Sequence, residues 1–226
     1  MDKRITNVFK HINKRNGFVV PILFLFFHSL KKVSLFPLFI KIVEKILGKD
    51  YTKNNYIIPE IWVVLNFSLA TFGRYLLIQT NNKSFAYIFL FISMFRIFAI
   101  LIYQINVLFF DRYEQWYLYP TTGEYKDCYQ IQSGTRMVIL LLINMMEYIL
   151  HFYVIYLAIS IISGTPIAAM SFMDSFKLFF NMQDFGKFRD SVIGGCAYAE
   201  VCVGMFTNVL CIARMLNLFP NVNQAV

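Results

Sequence analysis

Four stretches of this chain run for about two dozen residues with few charges: 57–80, 84–110, 136–162 and 190–216. Wound as a helix at about 1.5 Å per residue, each covers the roughly 30 Å of a hydrocarbon core. In lipid every backbone N–H and C=O needs a protein partner, and a continuous apolar run meets that need as an α-helix. A β-barrel would require apolar and polar residues to alternate, and these runs do not. The expected fold is all-α, a polytopic membrane protein with four transmembrane helices. Composition agrees, at 58% hydrophobic and 18% aromatic.

The formal net charge of +8 lies entirely in residues 1–53, which carry 11 Lys/Arg against 3 Asp/Glu. A basic segment beside membrane spans marks the cytoplasmic side and suits anionic headgroups. With no soluble domain to carry it, nucleic acid is not an expected partner. GFVVPILFLFFHSL (17–30) is short for a span, is interrupted by Pro21, and has no small-residue cleavage site after it. In 31–49, Val33, Phe36, Phe39, Ile40, Val43 and Leu47 share a face opposite Lys41 and Lys45. That pattern predicts an amphipathic helix in the interface plane; the competing reading of 17–40 is a further span, which would invert the topology. With four spans both termini are cytoplasmic. Three regions follow: a basic interfacial element (1–53), two spans with a polar, Tyr- and Trp-rich connector (54–135), and a last module (136–226). No internal repeat of the kind seen in inverted-repeat transporters is visible.

The last module holds the most informative segment. SGTPIAAMSFMDSFKLFFNMQDFGKFR (163–189) is too polar to cross lipid and too apolar for an ordinary loop. Held between two spans, it can turn back inside the membrane where protein or water surrounds it. The alternative is a helix lying on the outer face, which Phe176, Phe179 and Phe180 would suit equally.

Ionisable residues at membrane depth are functional candidates: Glu60, Arg74, Arg96, Glu147, His151 and Glu200. Arg136, Asn144, Glu147 and His151 share one face of the third span. Glu200, Gly204, Thr207, Cys211 and Arg214 share one face of the fourth. Two readings stay open: interhelical ion pairs among Glu60, Arg74, Arg96, Glu147 and His151, or a polar path along the fourth span. Glu147 and His151 lack the repeated Glu-x-x-His of a di-metal site. No H-E-x-x-H or G-x-S-x-G occurs. No metal, cofactor or enzyme chemistry is expected, and the four cysteines lack a C-x-x-C pair.

CAYAEVCVGMFTNVLCIARMLNLFP resembles the inner helix of small bacterial channels. The likeness lies in its mid-span Glu200, in Gly204 four residues on, and in the Ile-Ala-Arg run at its cytoplasmic end. The third span, with Arg136, Asn144 and Glu147, is similar to their outer helix. DSFKLFFNMQDFG (174–186) stands where they have an Asp-started pore helix and filter. Residues 136–220, just over a third of the chain, thus resemble the two-helix pore module of tetrameric potassium-type ion channels. The filter departs from that family. Potassium selectivity uses carbonyl rings from a Thr-Val-Gly-Tyr-Gly type loop, whose glycines reach conformations closed to other residues. Here Asn181, Met182, Gln183, Asp184, Phe185 and Gly186 keep only an aromatic-Gly pair. A fourfold ring of Asp184 would favour cations, while Lys187 and Arg189 oppose it.

The resemblance implies a homotetramer in a bacterial inner membrane passing small ions of unassigned identity. Asn181 to Gly186 would form the filter, and Glu200, Gly204, Thr207 and Cys211 would line or gate the path. Gating would come from the basic N-terminal element, from membrane lipid or from a partner protein. The rival expectations are a non-conducting subunit or anchor of a larger complex, and a membrane-depolarising effector.

Overall fold

The turn between the first two long helices shows how local chemistry sets their ends. Thr80 is the last helical residue, and Asn81 takes a left-handed conformation (φ 46°) that Asn tolerates better than most residues. Asn82 then caps the next helix, its Oδ1 accepting from the Ser84 N–H at 2.8 Å. Two residues therefore reverse the chain.

The computed structural model describes residues 19–31, 34–48, 57–106, 134–165, 171–183 and 193–218. Among them the regular structure is helical, without strands. The elements are α1 (Val19–Lys31), α2 (Phe36–Leu47), α3 (Ile57–Thr80), α4 (Lys83–Ile105), α5 (Gly134–Ser163), α6 (Phe172–Phe179) and α7 (Gly194–Leu218). Helices α3, α4, α5 and α7 contain segments long and apolar enough to cross a bilayer: Ile58–Thr80, Lys83–Ile105, Ile139–Ser163 and Gly194–Ile212. The four expected spans are these four helices, with ends moved by a few residues.

The chain divides into two compact units, one of Met1–Lys53 with Phe98–Gln132 and one of Asn54–Ile97 with Ser133–Val226. In the second unit α5 is the hub: every residue from Glu147 to Ala158 is buried. Helices α3, α6 and α7 all pack on it. One core joins Ala70 and Leu77 of α3, Ala86 and Phe89 of α4, and Leu150, Val154, Leu157 and Ile161 of α5. Small residues set the α3–α4 spacing, since a Cβ on Gly73 would lie 2.5 Å from the Phe89 ring. The opposite sides of α3 and α4 expose large apolar residues, among them Val64, Phe72, Ile88 and Phe91. A lipid-bathed surface has that character.

In the first unit, Pro21 and Pro37 fall in the first turns of α1 and α2, where a missing N–H costs little. The Asn106 amide donates to Phe27 O (3.1 Å) and to Ile102 O (2.9 Å), tying α1 to the turn at the end of α4. The expected basic arm 1–16 and connector 111–135 lie outside the described residues, apart from the first turn of α5.

Candidate functional site

Helix α6 is eight residues long and carries its own start and stop signals. Ser171 and Asp174 form a reciprocal capping box: the Asp174 N–H donates to Ser171 Oγ (3.1 Å) and the Ser171 N–H to Asp174 Oδ2 (2.9 Å). At the other end Asn181 turns left-handed (φ 55°). The Asn181 N–H bonds Leu178 O (2.9 Å) and the Met182 N–H bonds Lys177 O (2.7 Å), which is a Schellman stop.

This helix sits in a notch between α5 and α7. Ser175, fully buried, donates to Glu200 Oε1 at 2.6 Å and lies 3.2 Å from Ile149 O. The other Glu200 oxygen accepts from the Tyr156 hydroxyl of α5. One carboxylate thereby ties α5, α6 and α7 together. Below it the buried Phe179 ring stacks on Tyr148 (centroids 6.0 Å apart), and the Asn208 amide donates to Phe179 O at 3.5 Å. A Cβ on Gly204 would collide with that carbonyl oxygen and lie 2.9 Å from its carbon. Glycine at 204 is therefore a close-approach site where the end of α6 rests on α7.

The filter candidates divide. Asn181 and Met182 are exposed and belong to the helix stop, and Gln183 is half-buried. Asp184, Phe185 and Gly186 lie outside the described residues. The expected path-lining stripe of α7 is turned inward. Glu200, Gly204, Thr207 and Cys211 are all buried, with Glu200 and Gly204 against α6 and Cys211 3.7 Å from Met145 of α5. Within the chain that face packs against α5 and α6, through Glu200 on Tyr156 and Ser175, Gly204 on Phe179 and Cys211 on Met145. The outward stripe of α7 is Gly195, Tyr198, Ala199, Cys202, Met205, Phe206, Val209 and Ile212.

The ion-pair candidates gather at a second buried cluster. Arg96 Nε donates to Glu147 Oε1 at 2.5 Å and Nη2 to Oε2 at 3.1 Å, a two-pronged pair. The guanidinium carbon lies 5.5 Å from the centre of the Trp62 ring. His151 Nδ1 is 3.1 Å from Ser93 Oγ, and its Nε2 faces Glu147 Oε1 at 3.8 Å. Such pairing is what makes two charges tolerable at this depth. Arg74 does not join them: exposed, it lies over the Tyr153 ring at 5.5 Å. Glu60 is half-buried near the start of α3, and the Arg136 side chain is outside the described residues. Sequence reasoning did not single out Ser93, Tyr156, Ser175 or Asn208. A hydroxyl or amide in an apolar run carries no signal until its partner on another helix is known.

Fold and sites together define a polytopic α-helical integral membrane protein with polar clusters buried between its helices. Compared with known protein families, with characterised proteins and with solved structures, the chain finds no match in any of the three.

Proposed function

We propose that this chain is one subunit of a homo-oligomeric, channel-like membrane protein passing small ions, with α5, α6 and α7 as its pore module. The observation that supports this most is the seating of a short, doubly capped helix in the notch between two spans, fastened at Ser175–Glu200 and at Gly204. A helix so held is enclosed by protein on its polar side, the condition under which a re-entrant segment is tolerated. In this reading α6 dips into the bilayer, 181–186 narrow the outer mouth, and four copies surround one axis. The lumen face is the outward stripe of α7, centred on Cys202, in place of the Glu200 stripe. Both termini are cytoplasmic in a bacterial inner membrane. The identity of the ion is unassigned.

The apolar character of that stripe (Met205, Phe206, Val209, Ile212) favours a second reading, a non-conducting anchor subunit. An apolar lumen conducts only while wetted. Ion flux from proteoliposomes, combined with oxidative cross-linking in native membranes, separates the two. The pore reading expects flux and a disulfide-linked dimer through Cys202 that Cys202→Ser abolishes and Cys211→Ser leaves intact. Folded oligomer without flux removes conduction, and absence of the Cys202 link removes α7 from the axis.

A further inference from the structure

Of the expected interfacial face of α2, Phe36, Phe39, Ile40 and Val43 are half-buried, Leu47 is exposed, and Val33 lies outside the described residues. The stripe α2 turns outward is Leu35, Leu38, Ile42 and Ile46, exposed by 51%, 58%, 50% and 73%. The spacing of three and then four residues sets these side chains in one row. Lys41 and Lys45, both exposed, border that row, and the sole acid of α2, Glu44, is half-buried on the far side of Lys41.

We infer that this row is a docking surface for an anionic phospholipid bilayer surface, engaged through Leu38, Ile42 and Ile46 with Lys41 and Lys45 at headgroup level. Three observations select lipid as the occupant. The first is geometry: an apolar row edged by lysines matches the step from acyl chains to charged headgroups, a few ångströms apart. The second is charge, since the excess of +8 in residues 1–53 complements an anionic leaflet and repels another copy of the same segment. The third is sequence proximity: nine residues after α2 the chain begins α3, which contains a segment long and apolar enough to cross a bilayer. The inference does not depend on conduction; a silent anchor would dock in the same way.

The test is amide hydrogen exchange on the full-length protein in nanodiscs, following residues 36–47. In phosphatidylcholine containing phosphatidylglycerol at low salt, exchange should be at least about tenfold slower than in phosphatidylcholine alone, because each lysine near such a surface favours binding by about fivefold. The difference should vanish near 1 M salt, where the screening length falls to about 3 Å. It should likewise be largely lost in Lys41→Gln/Lys45→Gln, two exposed changes that leave the packed face alone. Salt titration of the unmodified protein gives the same answer if the variant expresses poorly. Equal exchange in both lipids overturns the inference. So does protection that survives salt and the double substitution, which would assign the row to a protein partner. Protection across 19–47 as deep as that of α5 overturns it too, in favour of a further span.

Discussion

Placing a single methyl group at position 204 tests the seating of α6 directly. A Cβ there lies 2.9 Å from the Phe179 carbonyl carbon and 3.0 Å from its Cα. Ordinary contacts begin near 3.4 Å, and the obstacle is backbone, which cannot swing aside as a side chain can. Relief requires α6 to move off α7 by something on the order of an ångström, the displacement overpacked cores typically make at a cost of about 1–3 kcal/mol. That movement also stretches Asn208–Phe179, already 3.5 Å, and the 2.6 Å Ser175–Glu200 bond; together these contribute about 1–2 kcal/mol. Alanine returns about 1 kcal/mol through its better helix propensity. Gly204→Ala should therefore cost about 2 kcal/mol net, lowering the melting temperature in detergent by roughly 4–8 °C for a chain of this size. Gly195→Ala on the same helix is the control. A Cβ there meets nothing within 4 Å, so propensity alone acts and the protein should be unchanged or up to about 1 kcal/mol more stable. The assay is thermal unfolding of both variants followed by helical circular dichroism and by Trp fluorescence. If Gly204→Ala melts with or above the parent, the close approach of α6 to α7 is wrong, and the pore-module reading loses its main support.

Three further outcomes are expected. Removing one member of the Arg96–Glu147 pair strands a buried charge, so Arg96→Met or Glu147→Leu alone should cost about 3–5 kcal/mol. The double variant should recover most of that loss, which a double-mutant cycle by chemical unfolding would measure. Glu200→Gln can still bond Tyr156 and Ser175 and should cost under about 1.5 kcal/mol, whereas Glu200→Ala leaves a buried tyrosine hydroxyl without an acceptor and should cost about 3 kcal/mol; equal melting of the two would deny the three-helix tie. Maleimide should label Cys202 of the folded protein well before the buried Cys211, and peptide mapping that finds both modified at one rate would place α7 the other way round.

The spans were legible because lipid imposes a length and a composition, and both can be read one residue at a time. Between the expected spans ending at 80 and starting at 84 there is room only for a tight turn, and the chemistry of Asn81 and Asn82 that makes it is local. That a short helix lies between the last two spans was legible, but its extent was not. The resemblance implied a pore helix and filter over 174–186, whereas the Ser171–Asp174 box starts α6 at Phe172 and its stop takes up Asn181 and Met182, the first two filter candidates. Which way α7 faces was not legible. Glu200, Gly204, Thr207 and Cys211 share a stripe by spacing alone, but whether a polar stripe meets water or its own protein depends on Tyr156 and Ser175, 44 and 25 positions away. The pairing of Arg96 with Glu147 had the same difficulty, with several acids and bases available and no local rule to choose among them. On α2 the apolar residues span a wide arc, with Phe36, Phe39, Ile40 and Val43 half-buried on one edge and Ile42 and Ile46 exposed on the other, a division periodicity alone does not give.

The bond between Arg96 and Glu147 joins residues 51 positions apart in a chain that is made from one end. At about 5–20 residues per second, the arginine precedes its carboxylate by roughly 3–10 s. Through that interval α4 carries an unpaired charge that costs about 2.5–3.5 kcal/mol at a helix centre, which its Ile, Phe and Leu residues must offset. What has already been synthesised is Trp62, whose ring faces the guanidinium in the finished protein. The indole is thus the earlier-made of the two neighbours of Arg96, and the arrival of α5 adds the carboxylate that completes the cluster.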